Sequence, residues 1–200
     1  MKRYALTLLF LLASSLAVTP ALAYEHYVID TKDAHAFITF RIQHLGFSWM
    51  EGRFKRFSGR FDYAEANPAL NKVEVEIDVA SIDTDHAVRD KHLRSERYLD
   101  VKRYPKAHFV STAWTDHGDG TATLTGTFTL RGVSKQIELT VRKMGHGKDP
   151  WGGYRRGFEA TTTLRLSDYA MRDAPKLGPH SEEIRIWISL EGVRQDSLLD

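Results

Sequence analysis

The stretch TATLTGTFTLRGVSKQIELTVRK, residues 121–143, decides the fold, because apolar and polar side chains alternate through both of its halves. In the first half threonines alternate with apolar residues, and in the second half Ile, Leu and Val alternate with polar residues. Side chains two positions apart share a strand face, so each half is predicted to be a half-buried strand. Arg131-Gly132 between the halves is typical of a tight hairpin turn.

The same period of two recurs on both sides of this hairpin. It predicts strands around residues 73–79, 158–166 and 184–190, and further strands are expected at 35–42, 53–63 and 107–115. Turn signals such as Gly118-Asp119-Gly120 separate the strands. Eight or nine strands with short links and one apolar face each favour an antiparallel barrel or sandwich.

One segment departs from this period. Asp83-Thr84-Asp85 can cap a helix that runs through His86 to about Tyr98, so a helix is expected over 84–98. Pro105 then returns the chain to an extended conformation.

The first residues have the three parts of a cleavable export signal. A positive start at Lys2 and Arg3 precedes an uncharged, largely apolar run over 4–18, and Ala21-Leu22-Ala23 forms the small-residue cleavage pattern. The alternative, a membrane anchor, needs a longer apolar run of about 20 residues. We therefore expect cleavage after Ala23 and a single mature domain over 24–200, with no second apolar stretch long enough to span a membrane.

Loss of this signal also removes the excess of positive charge. The whole chain has 28 Lys and Arg against 26 Asp and Glu, and the signal carries two of the basic residues and no acidic one. A formally neutral mature chain gives no reason, from its net charge, to expect a nucleic-acid or anionic-membrane partner.

Neither metal nor catalytic chemistry is indicated by the sequence. The chain has no cysteine, which excludes disulfides and thiolate sites, and its nine histidines are scattered. His86 and His92 are six positions apart and do not share a helix face. We therefore predict no metal site, no cofactor and no catalytic residues.

Aromatic and apolar residues are dense near the start of the mature chain, between positions 37 and 63. They would form either a packed barrel core or the wall of a cavity for an apolar ligand. Composition alone does not separate these alternatives, because small barrels do both.

Several blocks of the sequence resemble the YceI-like family of bacterial periplasmic proteins. They are RIQHLGFSWMEGRF (41–54), RDKHLRSERYLD (89–100), YPKAHF (104–109), LRGVSK (130–135), DPWGGYRRGFEA (149–160) and EEIRIWISLEGV (182–193). The resemblance implies an all-β fold, an extended, lipocalin-like, eight-stranded antiparallel barrel with a central hydrophobic tunnel and a short helix near one opening. It further implies a periplasmic location and a polyisoprenoid, quinone-like or fatty-acyl amphiphile as ligand.

The matched blocks supply candidates for the tunnel wall. The ligand-binding candidates are Phe37, Phe40, Ile42, His44, Leu45, Phe47, Trp49, Phe54, Leu93, Tyr98, Leu99, Phe109, Phe128 and Phe158. Phe37 and Phe40 would point to opposite sides of a regular strand. Candidates for the head group or tunnel mouth are Arg41, Arg89, Asp90, His92 and Arg94, although three of these, Arg89, Asp90 and Arg94, would alternatively brace the helix.

The sequence thus predicts a periplasmic carrier or binding protein, with two rivals. The first rival is an enzyme acting on such a lipid, for which His44, His92 and Asp90 form the only grouping that the sequence offers. The second rival is a packed stress or interaction protein without a ligand. Exposed strand edges would permit a homodimer, whereas a closed barrel has no such edges.

Overall fold

The computed structural model describes residues 24–32, 35–171, 173, 178 and 181–195. These residues form an all-β domain with a single short α-helix, α1 (Ala87–Leu93), among the described part of the chain. The strands are β1 (Glu25–Ile29), β2 (Ala36–His44), β3 (Ser48–Phe54), β4 (Phe57–Tyr63), β5 (Lys72–Asp78), β6 (Ile82–Asp83), β7 (Lys106–Asp116), β8 (Thr121–Leu130), β9 (Val133–Lys148), β10 (Tyr154–Arg165) and β11 (Glu183–Gln195). Short 3₁₀ turns lie at Pro68–Leu70, Val79–Ser81 and Leu166–Tyr169.

These segments close into an eight-stranded antiparallel barrel. β1 and β2 run in the same direction along β11, and β3 with β4 and β5 with β6 likewise act as two further interrupted strands. The order around the barrel follows the chain, and the first strand closes on the last, with Tyr27 opposite Arg194 and Phe40 opposite Ile186. The predicted eight-stranded barrel with a short helix is confirmed. A closed barrel has no free strand edges of the kind that would permit a homodimer, and the homodimer stays a prediction.

The hairpin predicted over residues 121–143 forms. β8 pairs with β9 from Leu130 opposite Val133 to Thr121 opposite Arg142. The two turn residues, Arg131 and Gly132, have φ values of 52° and 72°, as a two-residue turn that matches the strand twist requires.

Three neighbouring strands are interrupted side by side, and we call this line of interruptions the crease. The breaks fall between β1 and β2, between β3 and β4, and between β5 and β6. Backbone hydrogen bonds still join the interrupted segments to their neighbours, from Lys55 N to Ser81 O (3.2 Å), from Asp78 N to Arg56 O (3.0 Å) and from Glu191 N to His35 O (3.0 Å). The strand expected over 53–63 forms as β4 over Phe57–Tyr63 only, because residues 55 and 56 separate it from the end of β3.

Two other expectations about elements are corrected. The helix expected over 84–98 spans only Ala87–Leu93, and its N-cap is His86, whose Nδ1 accepts a hydrogen bond from Arg89 N at 3.1 Å. β1 was not predicted, because its five residues place Val28 on the exposed side and only Tyr27 and Ile29 in the core.

Two groups of buried apolar side chains line most of the length of the barrel interior. Around β1 and β4, Phe61 stacks on Tyr27 at 4.7 Å, and a Cβ added at Gly192 would overlap the Phe61 ring. A second group of buried side chains, including Val79, Leu99 and Tyr169, lies on the side of α1. The predicted signal over 1–23 lies outside the described residues. No helix in the described part of the chain has the length and apolarity needed to cross a bilayer.

Candidate functional site

The interior contains two apolar chambers that share part of their walls. The chamber beside α1 has a volume of about 560 Å³. The deeper chamber, towards the β1 and β4 end, has a volume of about 130 Å³. Five side chains line both chambers and mark their junction: Phe54, Ile77, Phe128, Leu164 and Ile186. The barrel is therefore not filled by its own side chains, as a packed protein without a ligand would require.

Most of the sequence-predicted residues line these chambers. Because every second residue of a strand faces inward, Phe40 and Ile42 of β2 share the interior face with Ile38. The predicted lining residues that the structure brings together are Phe40, Ile42, His44, Leu45, Phe54, Arg89, His92, Leu93, Tyr98, Leu99, Phe109, Phe128 and Phe158.

Four predicted residues do not face the interior. Phe37 and Arg41 alternate with the inward residues of β2, so both side chains lie on the outer face. Trp49 lies on the outer face of β3 by the same alternation, and Phe47 is 86% exposed in the turn between β2 and β3. Their assignment to the tunnel wall is corrected, because a strand that carries apolar residues on both faces does not reveal which face is inward.

Asp90 and Arg94 brace α1 and do not line a chamber. The buried Asp90 carboxylate accepts hydrogen bonds from Thr84 N (3.0 Å) and Thr84 Oγ1 (2.5 Å). Arg94 donates to the carbonyls of Ala80 and Ile82 at 2.8 and 2.7 Å. Arg89 does both, since it donates to Thr84 while also lining the larger chamber. The alternative that these residues brace the helix therefore holds for Asp90 and Arg94.

The mouth of the larger chamber carries its polar lining. His44 and His92 are exposed and line the same chamber, which therefore meets solvent between the end of β2 and α1. Asp90 points away into its contact with Thr84. The set of His44, His92 and Asp90, on which the enzyme rival depends, is thus not assembled around the chamber.

Sequence reasoning missed the aliphatic half of the wall. Ile184, Ile186, Ile188 and Leu190 of β11 all face inward, and their period of two was visible in the sequence. Further lining residues that were not among the candidates are Met50, Ile77, Ile82, Leu164, Leu166 and Met171. The predicted lining residues were mostly aromatic, although aliphatic residues at inward positions of the strands indicated the chamber wall equally well.

The far end of the interior is closed by a buried cation. Arg156 of β10 points inward with its guanidinium 4.1 Å from the centre of the Tyr63 ring, and its Nη1 donates to Glu65 Oε2 at 2.9 Å. The Tyr27 hydroxyl lies 3.5 Å from Arg156 Nε and donates to Glu25 at 2.6 Å. Burial, together with the hydrogen bond to Glu25, raises the pKa of Tyr27 to about 12, so its hydroxyl keeps its proton.

A charged cluster holds the crease where β1 leads into β2. Arg155 donates to Asp30 at 2.5 Å, to Glu191 at 3.0 Å and to Asp149 at 2.9 Å, while His35 lies 3.0 Å from Asp30. Asp30, His35 and Glu191 have atoms close enough to ligate one cation. The Arg155 guanidinium already supplies positive charge to both carboxylates, and these bonds raise the pKa of Arg155 above its ordinary value.

The outer face between β9 and β3 forms a broad, open depression of about 1430 Å³. Threonines and charged side chains, including Thr161, Thr163, Glu183 and Arg185, line it. Its polar lining does not suit an apolar chain, so the interior chambers are the better candidate for a ligand site.

A closed antiparallel barrel whose apolar interior opens beside a short helix defines the class of lipocalin-like binding barrels. The YceI-like domain profile matches residues 27–192, and the chain belongs to this family. The protein YceI of Salmonella arizonae is 48% identical over 186 residues, which cover 93% of this chain and 96% of the relative. A UPF0312 protein of Photorhabdus laumondii is 50% identical over 190 residues, covering 94% and 97%.

Two solved structures share this architecture. The crystal structure of the Campylobacter jejuni YCEI protein is 29% identical, with a TM-score of 0.69 over 78% of this chain and 91% of that one. A polyisoprenoid binding domain from Saccharophagus degradans is 18% identical, with a TM-score of 0.61 over 88% of this chain and 100% of that one. At 18% identity, the similarity to the Saccharophagus degradans domain shows a shared fold alone.

Proposed function

We propose that this protein binds a polyisoprenoid or another long-chain amphiphile inside the barrel and carries it through an aqueous compartment. The observation that carries the proposal is the pair of adjoining apolar chambers, which share five lining residues and together run from the α1 mouth towards the β1 and β4 end. An elongated apolar space with polar groups at its mouth fits one chain with a polar end. The polyisoprenoid binding domain from Saccharophagus degradans, which shares this fold, supports the same ligand class.

The energetics support an isoprenoid chain. Burying one carbon group contributes roughly 0.8 kcal/mol, so a five-carbon isoprene unit contributes about 4 kcal/mol before ordering costs. Two units approach the roughly 8 kcal/mol of micromolar binding. Burial would favour binding of a quinone-like or fatty-acyl amphiphile in the same way. Competition experiments between polyprenol, quinone and fatty-acyl ligands would rank their affinities.

The compartment follows from the predicted signal over 1–23. Cleavage after Ala23 would release the barrel into the periplasm, where an apolar chain needs cover to leave either membrane. Fractionation of cells expressing the full chain, with sequencing of the mature N-terminus, tests this part; a mature protein that retains Lys2 would contradict it.

Uptake of a polyprenol by the purified protein, followed by native mass spectrometry, tests the ligand. Ile186→Trp places an indole at the junction of the two chambers, and we expect it to weaken polyprenol binding at least tenfold. Ser189→Trp is the matched control, because it adds the same ring to the outer face of the same strand, β11. A wild-type protein that takes up neither polyprenol, quinone nor fatty-acyl probes would refute the proposal, as would equal binding by the two variants.

A further inference from the structure

Large apolar side chains are exposed around the mouth of the larger chamber. Phe47 is 86% exposed and Leu45 is 47% exposed in the turn between β2 and β3, and Leu45 also lines the chamber. Val88, 60% exposed, lies one helical turn before His92, another lining residue. We call Leu45, Phe47 and Val88 the rim. Two elements thus present apolar side chains to solvent at the place where a ligand would enter.

The turn holds its part of the rim in a fixed position. Leu45 and Gly46 have φ values of 54° and 81°, and Phe47 N donates to His44 O at 2.9 Å. This tight turn connects β2 and β3, which pair up to His44 opposite Ser48. The exposure of Phe47 is therefore a property of a hydrogen-bonded hairpin.

A tryptophan between two cations lies directly below the rim on the outer wall. The guanidinium carbons of Arg41 and Arg185 each lie 4.8 Å from the centre of the Trp49 ring. Within the described part of the chain, neither arginine has a carboxylate oxygen within 4.0 Å. Tryptophan and arginine are favoured at the boundary between lipid and water. The tryptophan ring and the apolar stem of arginine are buried in the lipid there, while the guanidinium charge stays hydrated.

The opposite end of the barrel offers a contrast. Trp151, in the turn between β9 and β10, is 76% exposed and lies 5.5 Å from the guanidinium of Arg155. Arg155, however, is bonded to Asp30, Asp149 and Glu191, so its charge is neutralised. Trp151 and Trp49 are both exposed aromatic residues beside arginine, but within the described residues only the arginines beside Trp49 lack a carboxylate partner.

We infer that the rim, with Trp49, Arg41 and Arg185 behind it, docks on a bilayer that contains anionic phospholipid when the chamber loads or releases its ligand. This inference rests on the proposed function, because it concerns the partner of the same cavity. A chain that passes from bilayer to chamber avoids water only if the mouth reaches the acyl boundary. The apolar rim would enter that boundary, and the two guanidinium groups would meet phosphate head groups.

Cosedimentation with vesicles tests this docking. Wild-type protein should bind vesicles of equal amounts of phosphatidylcholine and phosphatidylglycerol, bind phosphatidylcholine vesicles less, and lose binding as salt is raised. Phe47→Ser should weaken binding at least about tenfold, the lower range for burying a Phe side chain. Arg185→Gln should weaken it about fivefold on the anionic vesicles alone, since one cation near the surface is lost.

Trp151→Ser is the matched control and should bind vesicles like the wild type. Uptake of polyprenol from vesicle-free solution, followed by native mass spectrometry, should be unchanged in Phe47→Ser, while uptake from vesicles should slow. An unchanged thermal midpoint would show that Phe47→Ser folds normally, as its exposure implies.

The outcomes separate the inference from the function on which it rests. A wild-type protein that binds polyprenol yet sediments with neither vesicle overturns the docking and would point to a protein partner at the rim. Equal losses in Phe47→Ser and Trp151→Ser also overturn it, because the mouth would then not be the contact. A wild-type protein that binds no polyprenol overturns the proposed function instead.

Discussion

At the scale of single residues, a half-buried salt bridge ties β7 to β9 near the far end of the barrel. Asp116 Oδ2 lies 2.8 Å from Lys143 Nζ. The hydrogen bond from Lys143, with a second one from Gly118 N, holds the pKa of the Asp116 carboxyl below its ordinary value. A carboxyl with a lowered native pKa stabilises the fold above its unfolded pKa, and this stabilisation is lost as pH falls through the native pKa.

We therefore expect Asp116→Asn to lower the free energy of unfolding by about 1 kcal/mol at neutral pH. The difference from wild type should shrink once the pH falls below the ordinary carboxyl range, because wild-type Asp116 is then protonated too. Urea unfolding at both pH values measures this. The control is Glu74→Gln, which removes an exposed ion pair with Arg60 and should cost little at either pH. An equal loss at both pH values would show that the charge of Asp116 does not matter.

The residue scale also shows where prediction from sequence stops. Inward positions of β8, β9 and β11 could be predicted, because one face is apolar and the other polar. In β2 and β3 both faces carry apolar residues, since Phe37 and Trp49 are outside while Phe40 and Phe54 are inside. A period of two separates the residues of a strand into two faces. The outer face can be identified only when the residues of one face are polar.

At the scale of elements, the Asp90 carboxylate fastens α1 to the barrel wall together with Arg89 and Arg94. Asp90 on the helix accepts both hydrogen bonds from Thr84, and the helix in turn supplies Arg89, His92 and Leu93 to the larger chamber. Asp90→Ala leaves the buried Thr84 N–H and hydroxyl without their acceptor. We expect it to lower the free energy of unfolding by roughly 1–3 kcal/mol.

The same change should speed the release of bound polyprenol, because the loosened helix forms part of the chamber wall. Lys91→Ala, on the adjacent exposed position, is the control and should leave both stability and release unchanged. Urea unfolding and dissociation into excess vesicles give the two readouts. Unaltered stability in Asp90→Ala would mean that Thr84 finds another acceptor.

The bounds of this helix could be predicted only in part. A helix near 84–98 follows from the break in period, but the expected cap residues are used otherwise. Thr84 serves Asp90, and Asp85 has a left-handed φ of 59°, so the helix begins after His86. It ends early because Arg94 is held by the carbonyls of Ala80 and Ile82, a tertiary contact that local sequence does not encode.

At the scale of the whole molecule, the interior has a mouth at one end and a closed base at the other. Affinity for polyprenols should therefore rise with chain length while isoprene units still find wall to bury against, and should reach a plateau once the chain meets Arg156. Each buried unit contributes at most about 4 kcal/mol. Competition between polyprenols of increasing length measures the plateau.

Arg156→Ala should move this plateau to longer chains, because the base beneath Tyr63 and Phe158 is opened. Arg142→Ala removes a guanidinium of comparable size from the outer face, where it pairs with Glu159 at 3.1 Å, and should leave the plateau in place. Circular dichroism checks that both variants keep the barrel. A plateau unaltered by Arg156→Ala would show that the chain ends before the base.

The strand count and the closed barrel could be predicted from the sequence and its resemblance, whereas the crease and β1 could not. Interruptions in neighbouring strands depend on tertiary bonds such as Arg155 with Asp30 and Glu191, which join residues far apart in the chain. Period and turn signals report only local preference, so they miss a break that is stabilised from across the barrel.

The crease also has a mechanical consequence. Phe54 and Ile77 line both chambers at their junction. They also lie next to the crease, because β3 ends at Phe54 and β5 ends one residue after Ile77. A wall with fewer cross-strand bonds is more compliant than the continuous sheet of β7 to β11 that faces it. The barrel wall is thus most compliant where the two chambers join. We therefore expect the bulky methyl-branched segments of a ligand to pass this junction by local widening, while the continuous sheet of β7 to β11 keeps the barrel in shape.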